Sequence, residues 1–198
     1  ERQEGDGLLD IAVIRLPRIS NFTDFLTLEN RPEISLRYVK SPARLGQPDL
    51  ILLPGSKNTM EDLAWLRESG LEAQILKAEA RGALIFGICG GYQMLGETLE
   101  DPLDVEAGGS MRGLGLLPLK TTFTGRKTRT RVQGVFGLCE GALNGLSGRE
   151  LEGYEIHMGE TRVDLRRPES GQAKALTWVR DQISGQEKAD GAWAGNVY

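Results

Sequence analysis

Through its first half the chain alternates two hydrophobic patterns. Short unbroken apolar runs are followed by stretches with apolar residues three or four positions apart. "LLDIAVIRL" (8–16) and "PDLILLPG" (48–55) are rich in branched apolar residues, the mark of strands buried on both faces. "ISLRYVK" (34–40) alternates, with Ile34, Leu36 and Tyr38 on one side, and predicts another strand. "NFTDFLTLEN" (21–30) predicts a loop leading into a short helix. "NTMEDLAWLRESG" (58–70) opens on N-capping residues and acids and stops at Gly70, so it predicts a helix. "LEAQILKAEARG" (71–82) predicts a second, with Leu71, Ile75 and Ala78 along one side. "ALIFGI" (83–88) then predicts a strand and "GYQMLGETL" (91–99) a helix.

Strands separated by helices predict an α/β fold with a parallel sheet covered on both faces. In such sheets functional groups gather at the carboxyl ends of strands. Two turns lie there: Pro54-Gly55-Ser56 and Gly87-Ile88-Cys89-Gly90-Gly91. The second half changes character. From about Val105 to Gly159 it is rich in glycine and threonine and poor in helix signals. "LGLLPLKTTF" (114–123), "TRTRVQGVF" (128–136) and "LEGYEIHMGETRV" (151–163) predict strands in β-hairpins, and "KALTWVR" (174–180) and "DGAWAGNVY" (190–198) two more. One α/β domain with an added β region is the economical organisation.

Composition narrows the function classes. The chain has 198 residues, 39% hydrophobic and 26% charged, with net charge −4, so no polyanion partner such as nucleic acid is expected. The basic stretch "GRKTRTR" (125–131) is local and predicts a solvated loop or hairpin. Two cysteines are no disulfide framework and point to a reducing, cytoplasmic setting. A single histidine argues against a histidine-rich metal site, and the lack of a long apolar run against a transmembrane helix. The polar start "ERQEGDGLLD" carries no signal-peptide core and reads as a linker, placing the chain within something longer.

Gly87-Ile88-Cys89-Gly90-Gly91 fits G-x-C-x-G, the cysteine form of a strand-to-helix nucleophile elbow. A nucleophile on so tight a turn sits in a strained backbone, and glycines remove the side chains that would collide. The following helix would point its N-terminus at the sulfur and favour thiolate. The Gly90 N–H would face a developing oxyanion. A cysteine in a glycine-rich corner is also ordinary packing, but the position between strand and helix favours the elbow. Cys139, in "GLCEG", lacks that context and reads as packing.

"FGICGGYQMLG" (86–96) resembles the active-site turn of class I, triad-type glutamine amidotransferases, and "ILLPGSKNT" (51–59) resembles their oxyanion strand. "RLPRISNFTDF" (15–25) and "GYEIHMGET" (153–161) narrow the likeness to the glutaminase domain of the cobyric acid synthase group. The resemblance covers about Asp10 to Tyr198 and implies a flavodoxin-like α/β fold. It implies residues 1–9 as a linker from an N-terminal synthetase domain and 10–198 as the amidotransferase domain without its C-terminal end. It also implies hydrolysis of glutamine through a thioester on Cys89. The ammonia would serve ATP-dependent amidation of adenosylcobyrinic acid a,c-diamide in cobalamin biosynthesis. ATP and Mg²⁺ would belong to the synthetase domain, the corrinoid would meet this chain only through it, and no phosphate-binding G-x-x-x-x-G-K-[ST] occurs here. Carried over by position, Cys89 is the nucleophile, Gly55 and Gly90 supply oxyanion N–H groups, and Gln93 contacts substrate. Arg129 or Arg131 is a candidate for the substrate carboxylate, with a solvated arginine as the default.

The general base is the gap. His157 is the sole histidine, but the family carries its catalytic histidine in a later Gly-Thr-Tyr-x-His-Gly strand that follows a stretch like "GNVY" (195–198). The resemblance therefore implies a base beyond Tyr198, with His157 near the glutamine pocket or facing the synthetase domain, and an isolated stretch with little activity. It implies a Cys-His pair without a third acid. Three other readings share features of the sequence: the glutaminase of a related synthetase (cobyrinic acid a,c-diamide synthase or a muramyl-ligase-associated form), a non-catalytic domain of the same fold, and a cysteine hydrolase acting on another amide.

Overall fold

The computed structural model describes residues 8–163 and 173–198, which divide into two compact units, the first ending at Leu95 and the second starting at Gly96. The first unit holds a four-stranded parallel sheet of β1 (Leu9–Ile14), β2 (Ile34–Val39), β3 (Leu50–Leu53) and β4 (Leu84–Gly87), in the order β2-β1-β3-β4. Every apolar run of the first half is a strand. In β1, Ile11, Ala12, Val13 and Ile14 are consecutive and all at most 1% exposed. Successive side chains point to opposite faces, so both faces of this strand are covered. Ile51, Leu52 and Leu53 do the same in β3. This is the flavodoxin-like order, with its reversal between β1 and β3.

Between β1 and β2 lies α1 (Leu26–Glu29), a single turn continuing a 3₁₀ segment. Its Phe25 is buried edge-on against Tyr38, whose hydroxyl donates to Glu29 Oε1 at 2.6 Å. Two helices, α2 (Thr59–Glu68) and α3 (Leu71–Ala80), join β3 to β4, which pair side by side from Leu50–Leu84 to Leu53–Gly87. Asn58 caps α2 by accepting from the Glu61 N–H, and Gly70, at φ 77°, turns the chain into α3. The predicted helix at 91–99 is shorter than expected. As α4 it covers Gly90–Met94 only, and Thr98–Asp101 is a strand of the second unit.

The second unit is β-rich: β5 (Thr98–Asp101), β6 (Gly109–Arg112), β7 (Leu119–Phe136), β8 (Glu150–Val163), β9 (Lys174–Asp181) and β10 (Glu187–Trp193), ordered β10-β9-β7-β5-β6 with β8 on β7. The stretches at 114–123 and 128–136, expected as separate strands, belong to one 18-residue strand, β7. The basic segment at 125–131, expected as a loop or hairpin, is the middle of it. The predicted strand at 114 starts only at Leu119, because Gly115 takes φ 72° and Pro118 carries no N–H for a ladder. The β7–β8 register shifts between Thr122 and Lys127, where Gly159 of β8 takes φ 80°.

Candidate functional site

The site is built from the turn that leaves β4. Cys89 takes φ 50° and ψ −110°, and it is one of two non-glycine residues at positive φ among the described residues. Such a backbone costs an L-residue about 1–3 kcal/mol and persists only where the surroundings enforce it. The enforcement is visible in the glycines two positions either side. A Cβ on Gly91 would lie 2.0 Å from the Leu53 carbonyl oxygen, and one on Gly87 2.6 Å from the Tyr92 backbone. Only glycine lets α4 pack this close to β3 and the turn close this tightly. The result is an exposed Cys89 on a buried base of Gly87, Gly90 and Gly91. The five-residue α4 offers less of a helix dipole than the expected nine-residue helix.

The loop after β3 meets this turn. A Cβ on Gly55 would lie 3.7 Å from Cys89 Cβ, and one on Gly90 3.0 Å from both the Ser56 N and Thr59 Oγ1. Gly55, Cys89 and Gly90 are thus brought together. The segment following β1 clamps the same loop from its other side. Ser20 N–H donates to the Gly55 carbonyl at 2.8 Å, Lys57 N–H donates to the Arg18 carbonyl at 2.9 Å, and Ile19 bridges Ser56. A Cβ on Gly55 would lie 2.5 Å from Ser20 Oγ, so this glycine too is demanded by close approach.

Beneath the loop lies Asp62, fully buried in the first turn of α2. Its Oδ2 accepts from Ser56 Oγ at 2.7 Å and from the Arg18 N–H at 3.2 Å, and its Oδ1 from Arg18 Nη1 at 3.3 Å. Burial pushes the Asp62 carboxyl above its ordinary range, while the Ser56 and Arg18 contacts favour the charged form. Sequence reasoning passed over Asp62 as a routine helix-start acid. The available signal was its place on the buried stripe of α2, three residues after Thr59 and four before Leu66. Gln93 is 5% exposed and accepts from Thr59 Oγ1 at 3.4 Å, a contact beneath the loop.

His157 belongs to the second unit, on β8. Its Nδ1 lies 3.0 Å from the Gly159 carbonyl and its Nε2 2.7 Å from Glu155 Oε1. A carbonyl and a carboxylate, both acceptors, favour the imidazolium, the form in which both ring nitrogens donate. Glu155, itself buried, holds the His157 ring above its ordinary pKa, and Lys188 donates to the same carboxylate oxygen at 2.5 Å. Arg131 pairs with Glu152 and Arg129 is exposed. Cys139 is 3% exposed, with its thiol pushed up by burial, as packing predicts. No group of three or more His, Cys, Asp and Glu able to hold a metal occurs among the described residues, and no described helix is long and apolar enough to cross a membrane.

Residues 10–198 match the sequence profile of the CobB/CobQ-like glutamine amidotransferase domain. The chain belongs to this family. It is 56% identical over 192 residues to the cobyric acid synthase of Ruminiclostridium cellulolyticum, covering 97% of this chain and 37% of that protein. With the cobyric acid synthase of Lachnoclostridium phytofermentans it shares 60% over 153 residues, 77% of this chain and 30% of the relative. This amidotransferase chain therefore spans about a third of the length of the curated relatives it matches. The fold is shared with a crystal structure described as a glutamine amidotransferase, at TM-score 0.61 and 17% identity over 94% of this chain and 86% of that one. It is shared also with PurLQS from Thermotoga maritima, at TM-score 0.62 and 20% identity, covering 96% of this chain and 84% of that one.

Proposed function

We propose that this domain hydrolyses glutamine on Cys89 and supplies ammonia to the remainder of a cobyric acid synthase. The observation that carries the reading is Cys89 held at φ 50° on the elbow, with Gly55 and Gly90 packed around it. In this reading the thiolate adds to the carboxamide carbon as the carbonyl electron pair moves onto oxygen. The Gly55 and Gly90 N–H groups face that oxygen, each worth about 3 kcal/mol of the barrier in comparable sites. The C–N bond breaks and ammonia leaves with a proton from the base. Water then gives a proton to the base and adds to the thioester, the C–S bond breaks, and glutamate departs.

His157 is a poor base in this scheme, because both its ring nitrogens are already engaged within the second unit, by the Gly159 carbonyl and by Glu155. We assign the base to a residue outside these 198, and place ATP, Mg²⁺ and the corrinoid acid substrate with the synthetase part of the parent protein. The identities to cobyric acid synthases support that assignment. The test measures glutamate release by the full-length parent, its Cys89→Ala variant and this stretch alone. The expected result is loss of at least about 10³-fold in C89A and weak activity in the stretch. C89A activity within about tenfold of the parent overturns the nucleophile. Robust activity from the stretch alone overturns the outside base.

A further inference from the structure

Asp62 is a fully buried carboxylate that the chemistry above does not use. It joins three parts of the first unit that are distant in sequence. Its own element is α2, its Oδ2 takes the Ser56 hydroxyl, and the same oxygen takes the Arg18 backbone N–H. Ser56 pairs with Ile19, the residue after Arg18, in the short antiparallel bridge in which Ser20 N–H holds the Gly55 carbonyl. Ser56 Oγ in turn accepts from the Asn58 N–H at 3.0 Å, so the hydroxyl is fixed from both sides. One carboxylate thus ties the Ser56 side chain and the Arg18 backbone, on the two sides of this bridge, to α2.

We infer that Asp62 is the positioning residue that fixes the Gly55–Ser56 backbone beside Cys89, acting through the Ser56 hydroxyl and the Arg18 N–H. This inference rests on the reading of Gly55 as an oxyanion donor. The Gly55 N–H belongs to the Pro54–Gly55 peptide, one residue before the serine that Asp62 holds, so release of Ser56 would let that peptide turn and take the donor from the transition state while leaving Cys89 in place. Substrate binding, made before charge develops, would change little. An asparagine at 62 preserves volume but cannot accept from both Ser56 and Arg18 through the same atom without turning an NH₂ toward a donor.

The test uses the full-length parent protein with Asp62→Asn, Ser56→Ala and the double variant. D62N is expected to lower kcat for glutamine hydrolysis about 10–100-fold, with KM within about threefold. Alkylation of Cys89 by iodoacetamide should proceed at the parent rate. S56A, which removes only the hydroxyl, should show a smaller kcat loss, and the double variant should lose no more than D62N. A D62N kcat within about twofold of the parent, or losses in the two variants that multiply, would overturn the inference. If D62N does not fold, S56A decides: a kcat loss at constant KM supports the role, and unchanged kcat overturns it. C89A is run in parallel. An active C89A defeats the nucleophile reading itself, whereas a dead C89A with a fully active D62N defeats only the role of Asp62.

Discussion

Cys89 offers a stability measurement with an unusual expected sign. At ordinary positions alanine outperforms glycine, because glycine loses about 0.5–1 kcal/mol more chain entropy on folding. At φ 50° and ψ −110° the preference should invert. The strain on a residue with a Cβ there is about 1–3 kcal/mol, and glycine relieves it. At the middle of both ranges the difference leaves Cys89→Gly more stable than Cys89→Ala by about 1.2 kcal/mol. Both substitutions remove the thiol, so contacts of the sulfur cancel in the comparison. With a urea slope of about 2 kcal/mol/M, the midpoint of C89G should lie about 0.6 M above that of C89A at equal slope. Ala73→Gly, on the exposed side of α3, is the control and should lose about 1 kcal/mol. The assay is equilibrium urea unfolding followed by circular dichroism. If C89A is as stable as C89G or more so, while A73G behaves as stated, the elbow is not strained and the account of its glycines fails.

Two further outcomes bear on the surroundings. Gly91→Ala puts a Cβ 2.0 Å from the Leu53 carbonyl and should destabilise by about 3 kcal/mol, whereas Gly153→Ala, with nothing within 4 Å, should stay within about 0.5 kcal/mol in thermal unfolding. His157 is the single histidine, so its Cε1 proton gives one unambiguous NMR titration. Its midpoint should exceed the ordinary value of about 6.5, because Glu155 favours the imidazolium. The folded pKa is the raised one, so the stabilisation is complete below about pH 6.5 and disappears as pH rises through the folded value. A midpoint at or below about 6.5, or an unchanged pH dependence of stability in His157→Gln, would refute the double hydrogen bond.

The first unit is written plainly in the chain because each of its strands is a run of apolar residues with punctuation. Pro54-Gly55 ends one and Gly87 another. The elbow is legible for a related reason: its steric demands fall on residues two positions from Cys89, where only glycine fits. The second unit is harder. Thr98 and Leu99 continue the periodicity of α4 and so hide β5, and Gly109–Arg112 has no buried residue to mark it as a strand. The length of β7 is masked by charge, since Lys127, Arg129 and Arg131 alternate outward with no apolar partners between them except at Val132 and beyond. Asp62 was easily overlooked because a first-turn acid is favourable on the helix dipole alone. The α2 stripe marks its burial, but its partners follow only from the segment after β1 folding over the loop after β3, which no local pattern encodes.

That stretch of β7 has one more consequence. Along one side β7 pairs with β8 for most of its length, but along the other it pairs with β5 only at 120–122 and with β9 only at 132–136. Among the described residues, then, 123–130 has no strand partner on that side, the Gln182 N–H reaching only the Arg131 carbonyl, and such an unpaired edge is the sort of template on which foreign strands add. Lys127 and Arg129 sit on it, and Arg131 follows. The basic stretch that the sequence offered as a solvated loop or hairpin thus places charge along a strand edge, the kind of residue that discourages a second strand from adding there.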